Sequence, residues 1–128
     1  MIIGIGCDIV KISRIKKLVV NFGDKFINRI YTLREIDAAN SLCFDKKINY
    51  YAKRFAAKEA TSKALGTGIG AKVAFIDIEI YNDSCGKPLV KLHCELFKNI
   101  KIFVSMSDED DSAIAYTLAQ KTIAQPFK

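Results

Sequence analysis

The spacing of apolar residues changes along the chain, from mainly helical in the first half to alternating in the second. An apolar, β-branched run over residues 1–10 comes first and predicts a buried strand. Apolar residues then recur every three or four positions, which predicts amphipathic helices. The predicted helices cover residues 11–22, 24–30, 33–43 and 50–65, with a polar connection at residues 45–49.

Apolar residues at every second position predict antiparallel strands in the second half of the chain. The expected strands cover residues 72–81, 89–94 and 101–107, and the turn-rich segment 82–88 predicts a hairpin loop. Residues 95–99 are predicted as a helical turn or a loop. The acidic residues 108–111 are predicted as a solvated turn. Residues 112–121 fit either a final strand or a helix, and residues 122–128 are expected to be loose.

The order of these elements predicts an α+β fold in a single domain of residues 1–128: an N-terminal strand, a helical run, then antiparallel strands. The net charge of +6 suggests an acidic partner, which could be nucleic acid, an anionic membrane, a phosphorylated small molecule or an acidic protein. The four cysteines lack CxxC spacing, which argues against a zinc site. Neither a signal peptide nor a membrane span is indicated, so the expected location is the cytoplasm.

A glycine-rich stretch follows directly after the last turns of the long predicted helix. Glu59 and Lys63 are four residues apart and therefore project from one helical face. Gly66 suits a helix C-cap, because glycine adopts the left-handed conformation at little steric cost. A carboxylate and an ammonium beside exposed N–H groups could hold a metal and phosphates, or they could form a solvated surface pair. Asp8, inside the apolar first run, either caps the next helix, pairs with a buried cation or ligates a metal.

Cationic side chains share one face of the first predicted helix and continue into the second. They form either a solvated surface or a docking surface for an acidic partner helix, for which charge sets the association rate more than the affinity. The cations are Lys11, Arg14, Lys16 and Lys17 on the first helix and Lys25 and Arg29 on the second.

Several segments, taken in chain order, resemble the small bacterial 4′-phosphopantetheinyl transferases, the holo-[acyl-carrier-protein] synthase family. They are GIGCDIV (4–10), RI (14–15), RFAAKEATSKALGTGIG (54–70), NDSCGKP (82–88) and VSMSDEDDSAIAY (104–116). The motif F-x-x-K-E-x-x-x-K-A at residues 55–64 is specific when an upstream G-x-D accompanies it, as at residues 6–8. The likeness spans essentially the whole chain.

The resemblance implies transfer of the phosphopantetheine arm of coenzyme A to a serine of an apo acyl carrier protein, with release of adenosine 3′,5′-bisphosphate. It implies Mg²⁺ bound by Asp8 and Glu59, and a catalytic set of Asp8, Glu59 and Lys63. Glu59, acting through a water, is the expected base for the serine proton. Arg54 is expected at a phosphate of coenzyme A, with a surface ion pair as its alternative role. The expected coenzyme A contacts are Arg54, Phe55, Gly66, Gly68, Ser105 and Ser107.

The resemblance also implies that four cations of the first two helices meet the acidic helix of the carrier protein: Arg14, Lys17, Lys25 and Arg29. It further implies that the chain forms a homotrimer with sites at subunit interfaces. One position departs from the family, because Asp108 stands where some members have a histidine after S-x-S. A carboxylate there would repel the 3′-phosphate, so Ser105, Ser107 or a lysine of a neighbouring subunit must serve instead.

Two rival functions follow from the same residues. One is the same reaction on the carriers of peptide or polyketide synthases, although the short chain favours the fatty-acid type. The other is a basic RNA-binding module, whose sheet would expose aromatic residues among basic ones. Phe75 and Tyr81 instead flank Asp77 and Glu79 on one predicted strand face, so neither a nucleic acid nor a membrane is expected as a partner.

Overall fold

The computed structural model describes residues 1–123, so most of the tail predicted to be loose, residues 124–128, lies outside the described residues. The predicted α+β order is confirmed. The strands are β1 (Ile2–Lys11), β2 (Ile78–Asn82), β3 (Pro88–Leu92), β4 (Ile100–Glu109) and β5 (Ser112–Lys121). The helices are α1 (Ile12–Phe22), α2 (Asp24–Ile30), α3 (Leu33–Asn40) and α4 (Phe44–Leu65), with 3-10 turns at Phe75–Asp77 and Glu95–Phe97.

An antiparallel sheet with the strand order β1-β5-β4 is covered on one face by α4, while β2 and β3 form a separate hairpin. Small residues allow this contact to be close. A Cβ atom at Gly4 would collide with the carbonyl oxygen of Ala64, and one at Gly6 with that of Ala60. The two glycines therefore bring the backbone of α4 directly against β1, as expected for glycine within a strand. This contact places the last turns of α4 beside Asp8.

The other face of this sheet, called the outer face below, is apolar and exposed. Ile5 and Ile9 are 75% and 63% exposed, and Phe103 and Tyr116 lie on the neighbouring strands. The prediction of a buried strand over residues 1–10 is therefore wrong for the isolated chain. The apolar run is typical of a strand covered on both faces, whereas α4 covers only one of them.

The helix boundaries differ from the prediction where a polar run hides a buried face. Residues 45–49, predicted as a connection, form the beginning of α4, and α3 ends at Asn40 rather than Cys43. Ile48 is buried at helical spacing from Tyr51, so the polar residues around it form the solvated face of the same helix. The start of α3 is as predicted, because Thr32 and Glu35 form a complete capping box.

The second half of the chain departs from its alternating pattern at Phe75–Asp77, which form a 3-10 turn instead of a strand. The Asp77 carboxylate accepts the N–H of Ala74 at 2.9 Å, and Phe75 stacks on Phe55 with ring centroids 5.2 Å apart. These contacts outweigh the local strand preference. Glu79, on the predicted exposed face of this strand, is only 7% exposed in β2, where it pairs with Arg34 and His93 of other elements. Residues 112–121 are a strand, which settles the alternative left open by the sequence.

Candidate functional site

Asp8, Glu59 and Lys63 converge where β1 meets the last turns of α4. Asp8 lies on the face of β1 that α4 covers, opposite Ala115 of β5. Lys63 Nζ donates to Asp8 Oδ1 at 3.1 Å and to the carbonyl oxygen of Cys7 at 2.9 Å. The pair remains open to solvent, with the Lys63 side chain 52% exposed. One alternative for Asp8 was a pair with a buried cation. Asp8 does pair with a cation, but that cation, Lys63, is accessible to solvent.

The two carboxylates affect each other at this site. Burial raises the pKa of the Glu59 carboxyl, the negative charge of Asp8 raises it further, and Lys63 and Arg14 lower it. The net direction is upward, so Lys63 and Arg14 do not fully offset the combined effect of burial and the charge of Asp8. A cluster of this kind favours an additional cation.

The side chains available as ligands suit an open Mg²⁺ site better than a site in which the protein supplies every ligand. Within residues 1–123 no group of three or more His, Cys, Asp or Glu side chains is placed to hold a metal ion. Two carboxylates therefore have to suffice from this chain. Mg²⁺ commonly takes one or two carboxylates, keeps several waters and completes its shell with substrate phosphates. Asp8 and Glu59 meet this requirement, since both supply oxygen ligands beside a solvent-accessible position.

The glycine loop after α4 ends the helix but offers few free donors. Gly66 is a left-handed C-cap with a φ of 77°, and Gly68 also has a positive φ of 62°. The N–H groups of Gly66, Thr67 and Gly68 donate to carbonyl oxygens of Lys63 or Ser62. The N–H of Gly70 donates to Val73. The exposed donors expected here are thus engaged, and the contribution left to the glycines is the absence of side chains beside Lys63.

Arg54 lies in the wall of a groove that residues of α3, α4 and β2 line. Its guanidinium carbon is 3.9 Å from the ring centroid of Tyr50, and Nη2 donates to Asn82 Oδ1 at 3.2 Å. Nε is buried and has no hydrogen-bond partner among residues 1–123. Burial lowers the pKa of this guanidinium. The alternative of a surface ion pair is wrong, because Arg54 is buried against the aromatic ring.

The groove beside Arg54 has a volume of about 410 Å³ and is rich in cations. Lys46 and Lys53 line it together with Arg54, while Leu42 and Tyr50 supply apolar surface. Lys53 also forms an ion pair with Asp108 at 3.1 Å. The negative charge that sets Asp108 apart from the family pattern is therefore partly neutralised within the chain.

The three other predicted contacts lie in the core and on the outer face of the sheet. Phe55 is buried and stacks on Phe75, which makes it a core residue, with the guanidinium carbon of Arg14 6.0 Å from its ring centroid. Ser105 and Ser107 lie on the exposed outer face of the sheet, whereas Asp8 lies on the face that α4 covers. Within one chain the two serines and Asp8 therefore do not form a single site.

The cations predicted to dock a partner are all exposed on α1 and α2. Lys25 and Arg29 border a groove of about 360 Å³ whose apolar lining comes from Phe22 and Phe26. Phe22 is 57% exposed, although its helical spacing predicted a buried position. The surface thus combines cations with accessible apolar side chains, which is more specific than a solvated helix face.

Sequence reasoning gave Lys58 only a supporting role and missed its buried ion pair with Glu35. Both side chains are fully buried, with Lys58 Nζ 2.7 Å from Glu35 Oε1. Lys58 also donates to the carbonyl oxygens of Phe75 and Ile78, and Glu35 Oε2 accepts the N–H of Ile80 at 2.9 Å. Burial lowers the pKa of Lys58, against the raising effect of Glu35. The sequence signal that could have indicated this pair is a charged residue, Lys58, among the buried alanines of α4.

The chain matches known proteins along nearly its whole length. The sequence profile described as 4′-phosphopantetheinyl transferase superfamily matches residues 4–117. A relative from Orientia tsutsugamushi (strain Ikeda), a holo-[acyl-carrier-protein] synthase, is 44% identical over 131 residues, which cover 96% of this chain and 100% of the relative.

Two crystal structures show the same fold. The holo-[acyl-carrier-protein] synthase of Neisseria meningitidis has a TM-score of 0.85 at 44% identity, covering 94% of this chain and 100% of that one. The one from Bacillus anthracis (strain Ames), solved in complex with CoA (3′,5′-ADP), has a TM-score of 0.85 at 40% identity, covering 95% and 99%. No helix within residues 1–123 is long and apolar enough to cross a membrane.

Proposed function

Because the chain belongs to the 4′-phosphopantetheinyl transferase superfamily, we propose that it transfers the 4′-phosphopantetheine group of coenzyme A to a serine of an apo acyl carrier protein. The observation that carries this proposal is the convergence of Asp8, Glu59 and Lys63 from distant parts of the chain. Relatives named holo-[acyl-carrier-protein] synthase support it, as does the coenzyme A ligand of the B. anthracis structure. We also propose a cytoplasmic location, which the four free cysteines favour.

The reaction is an in-line displacement at phosphorus. The serine Oγ forms a bond to the phosphorus that bears the pantetheine arm, and the bond from that phosphorus to the bridging oxygen of the pyrophosphate breaks. The bridging oxygen keeps the electron pair and leaves as part of adenosine 3′,5′-bisphosphate. The serine proton passes through a water to the carboxylate of Glu59. Negative charge grows on the phosphoryl oxygens and on the leaving phosphate.

The residues of the site have separate roles. Asp8 and Glu59 would hold Mg²⁺, which when bound neutralises charge on the pyrophosphate and helps to orient it. Lys63 Nζ already lies at the carboxylate of Asp8 and can reorient toward a phosphoryl oxygen, since it is half exposed. Gly66 and Gly68 leave room for the pyrophosphate beside Lys63.

The cationic groove holds the nucleotide end of coenzyme A. Arg54 lines the groove, and Lys46 and Lys53 add positive charge. Guanidinium geometry suits a phosphate. Phe55 supports this wall from the core through its stack on Phe75.

The complete site needs a second copy of the chain. Ser105 and Ser107 lie on the outer face, on which Ile5, Phe103 and Tyr116 are exposed. An apolar surface of this kind is typical of an interface. In a homotrimer the serines would complete the coenzyme A site of a neighbouring copy. Light scattering in solution should give three times the chain mass of 14.3 kDa, and a monomeric mass in an active preparation would contradict the assembly.

The experiment that tests the function is the intact mass of an apo acyl carrier protein after incubation with this protein and coenzyme A. We expect the carrier to gain one phosphopantetheine with Mg²⁺ and no mass with EDTA. A carrier whose acceptor serine is replaced by alanine is the control and should gain none. No gain on a competent fatty-acid carrier would contradict the proposal, and a gain only on a peptide-synthase carrier would reassign the target.

A further inference from the structure

Helix α1 receives its N-terminal cap from the far end of the chain. Lys11, at the N-cap position, makes no side-chain cap. Asp111, in the turn between β4 and β5, takes its place: Oδ1 accepts the N–H of Ser13 at 2.8 Å and Oδ2 accepts its hydroxyl at 2.6 Å, across 98 residues of sequence. The carbonyl oxygen of Asp111 accepts the N–H of Ile12 at 2.8 Å. The turn is solvated as predicted, and Asp111 within it also caps α1.

These contacts satisfy groups that a helix cannot satisfy by itself. The first N–H groups of a helix have no partner within it, and the helix dipole favours a negative charge there. A carboxylate that bonds both a backbone N–H and a hydroxyl holds the first turn in one orientation. The hydrogen bonds from Ser13 lower the pKa of the Asp111 carboxyl, so it is ionised at neutral pH.

The first turn of α1 connects the cap formed by Asp111 to the candidate site. Arg14 follows Ser13 directly, and its guanidinium carbon is 6.0 Å from the ring centroid of Phe55, one turn before Glu59 on α4. Lys11, just before the helix, pairs with Ser112 in the sheet, so the turn that carries Asp111 adjoins the strand that carries Asp8. The direction in which α1 leaves the sheet thus sets the distance from Arg14 and Lys17 to the carboxylates.

We propose that Asp111 is a positioning residue for carrier recognition, fixing the start of α1 so that Arg14 and Lys17 meet the carrier while its serine reaches the site. The inference rests on the proposed function. Asp111 itself contacts neither coenzyme A nor the carrier. Its effect is therefore on the productive encounter with the carrier and not on the chemical step.

The test is steady-state transfer with the carrier and coenzyme A varied separately. Asp111→Ala should raise KM for the carrier about threefold to tenfold, the range expected for a lost cap, and leave KM for coenzyme A and kcat unchanged. Asp111→Asn, which keeps an oxygen to accept the Ser13 N–H, should fall between Asp111→Ala and the unmodified protein. Asp110→Asn is the matched control, since it removes one charge from the same turn without touching these contacts.

The outcomes separate the inference from the proposed function. An unchanged KM for the carrier in Asp111→Ala, or equal changes in the constants for both substrates, would overturn the positioning role while leaving the function in place. If the unmodified protein modifies no carrier, the proposed function fails and this inference fails with it. Should Asp111→Ala not fold, Ser13→Ala makes the same comparison, because it removes only the bond between hydroxyl and carboxylate.

Discussion

Helix α4 carries two ion pairs little more than one turn apart, and their surroundings are opposite. The pair of Lys58 with Glu35 is fully buried, and every charged atom in it has backbone or side-chain partners. The pair of Lys63 with Asp8 is open to solvent, and a further carboxylate, Glu59, lies beside it. Equal charges therefore serve different purposes: the closed pair joins elements of the fold, and the open pair remains available to a ligand.

The largest expected effect is the loss of unfolding free energy when the closed pair of Lys58 and Glu35 is broken. Lys58→Met leaves the Glu35 carboxylate buried without its cation, which should cost about 3–5 kcal/mol of unfolding free energy. Lys63→Met is the matched control and should change stability by less than about 1 kcal/mol, since exposed ion pairs contribute little. Urea denaturation of both variants measures the difference.

A second variant shows whether the charge or the contact is responsible. Glu35→Gln combined with Lys58→Met removes the buried charge but keeps an oxygen that can accept a backbone N–H. Part of the lost stability should return. If Lys58→Met were no less stable than Lys63→Met, burial would not distinguish the two pairs.

The parts of the fold that depend on neighbouring residues were predictable. The capping box of Thr32 fixed the start of α3, and the glycine at position 66 fixed the end of α4, because both signals act within a few residues. The start of α4 was missed because its anchor, Ile48, is buried by distant elements. The turn at Phe75 was missed for the same reason, since its stacking partner Phe55 lies twenty residues earlier in the chain.

The candidate site likewise has features that were predictable from the sequence and features that depend on distant contacts. Spacing alone put Glu59 and Lys63 on one helical face, but it left Asp8 with several possible partners. Family resemblance, and not periodicity, joined Asp8 to them, and the structure brings the three side chains together. The partners of Lys58 and Asp111 were not predictable, because they lie far away in sequence.

At the open pair, the expected loss is in transfer and not in stability. Asp8→Asn and Glu59→Gln should each lower the rate of carrier modification by about 10²–10³-fold, since each removes a charge that would hold Mg²⁺ against the substrate phosphates. Both variants should unfold close to the urea midpoint of the unmodified protein. The intact-mass time course of the carrier measures the rate, and full activity in either variant would contradict the metal assignment.

The smallest expected effect concerns a fourth carboxylate, that of Asp111. It sharpens the contrast because it is exposed and accepts hydrogen bonds only from neutral donors. The pKa of Asp111 is lowered in the folded chain from its ordinary value of 3.8. A lowered pKa stabilises the fold at pH values above the unfolded pKa, and this contribution is lost as the pH falls through the folded pKa. The stability difference between the unmodified protein and Asp111→Asn should therefore be constant above about pH 5 and shrink below pH 3.8.

Urea midpoints of the two proteins at a series of pH values measure this difference. Asp110→Asn should show a weaker dependence, because the side chain of Asp110 takes no part in the contacts with α1. An equal dependence for Asp110→Asn would mean that the net charge of the turn, and not the bonds to Ser13, connects the pH to the stability of α1.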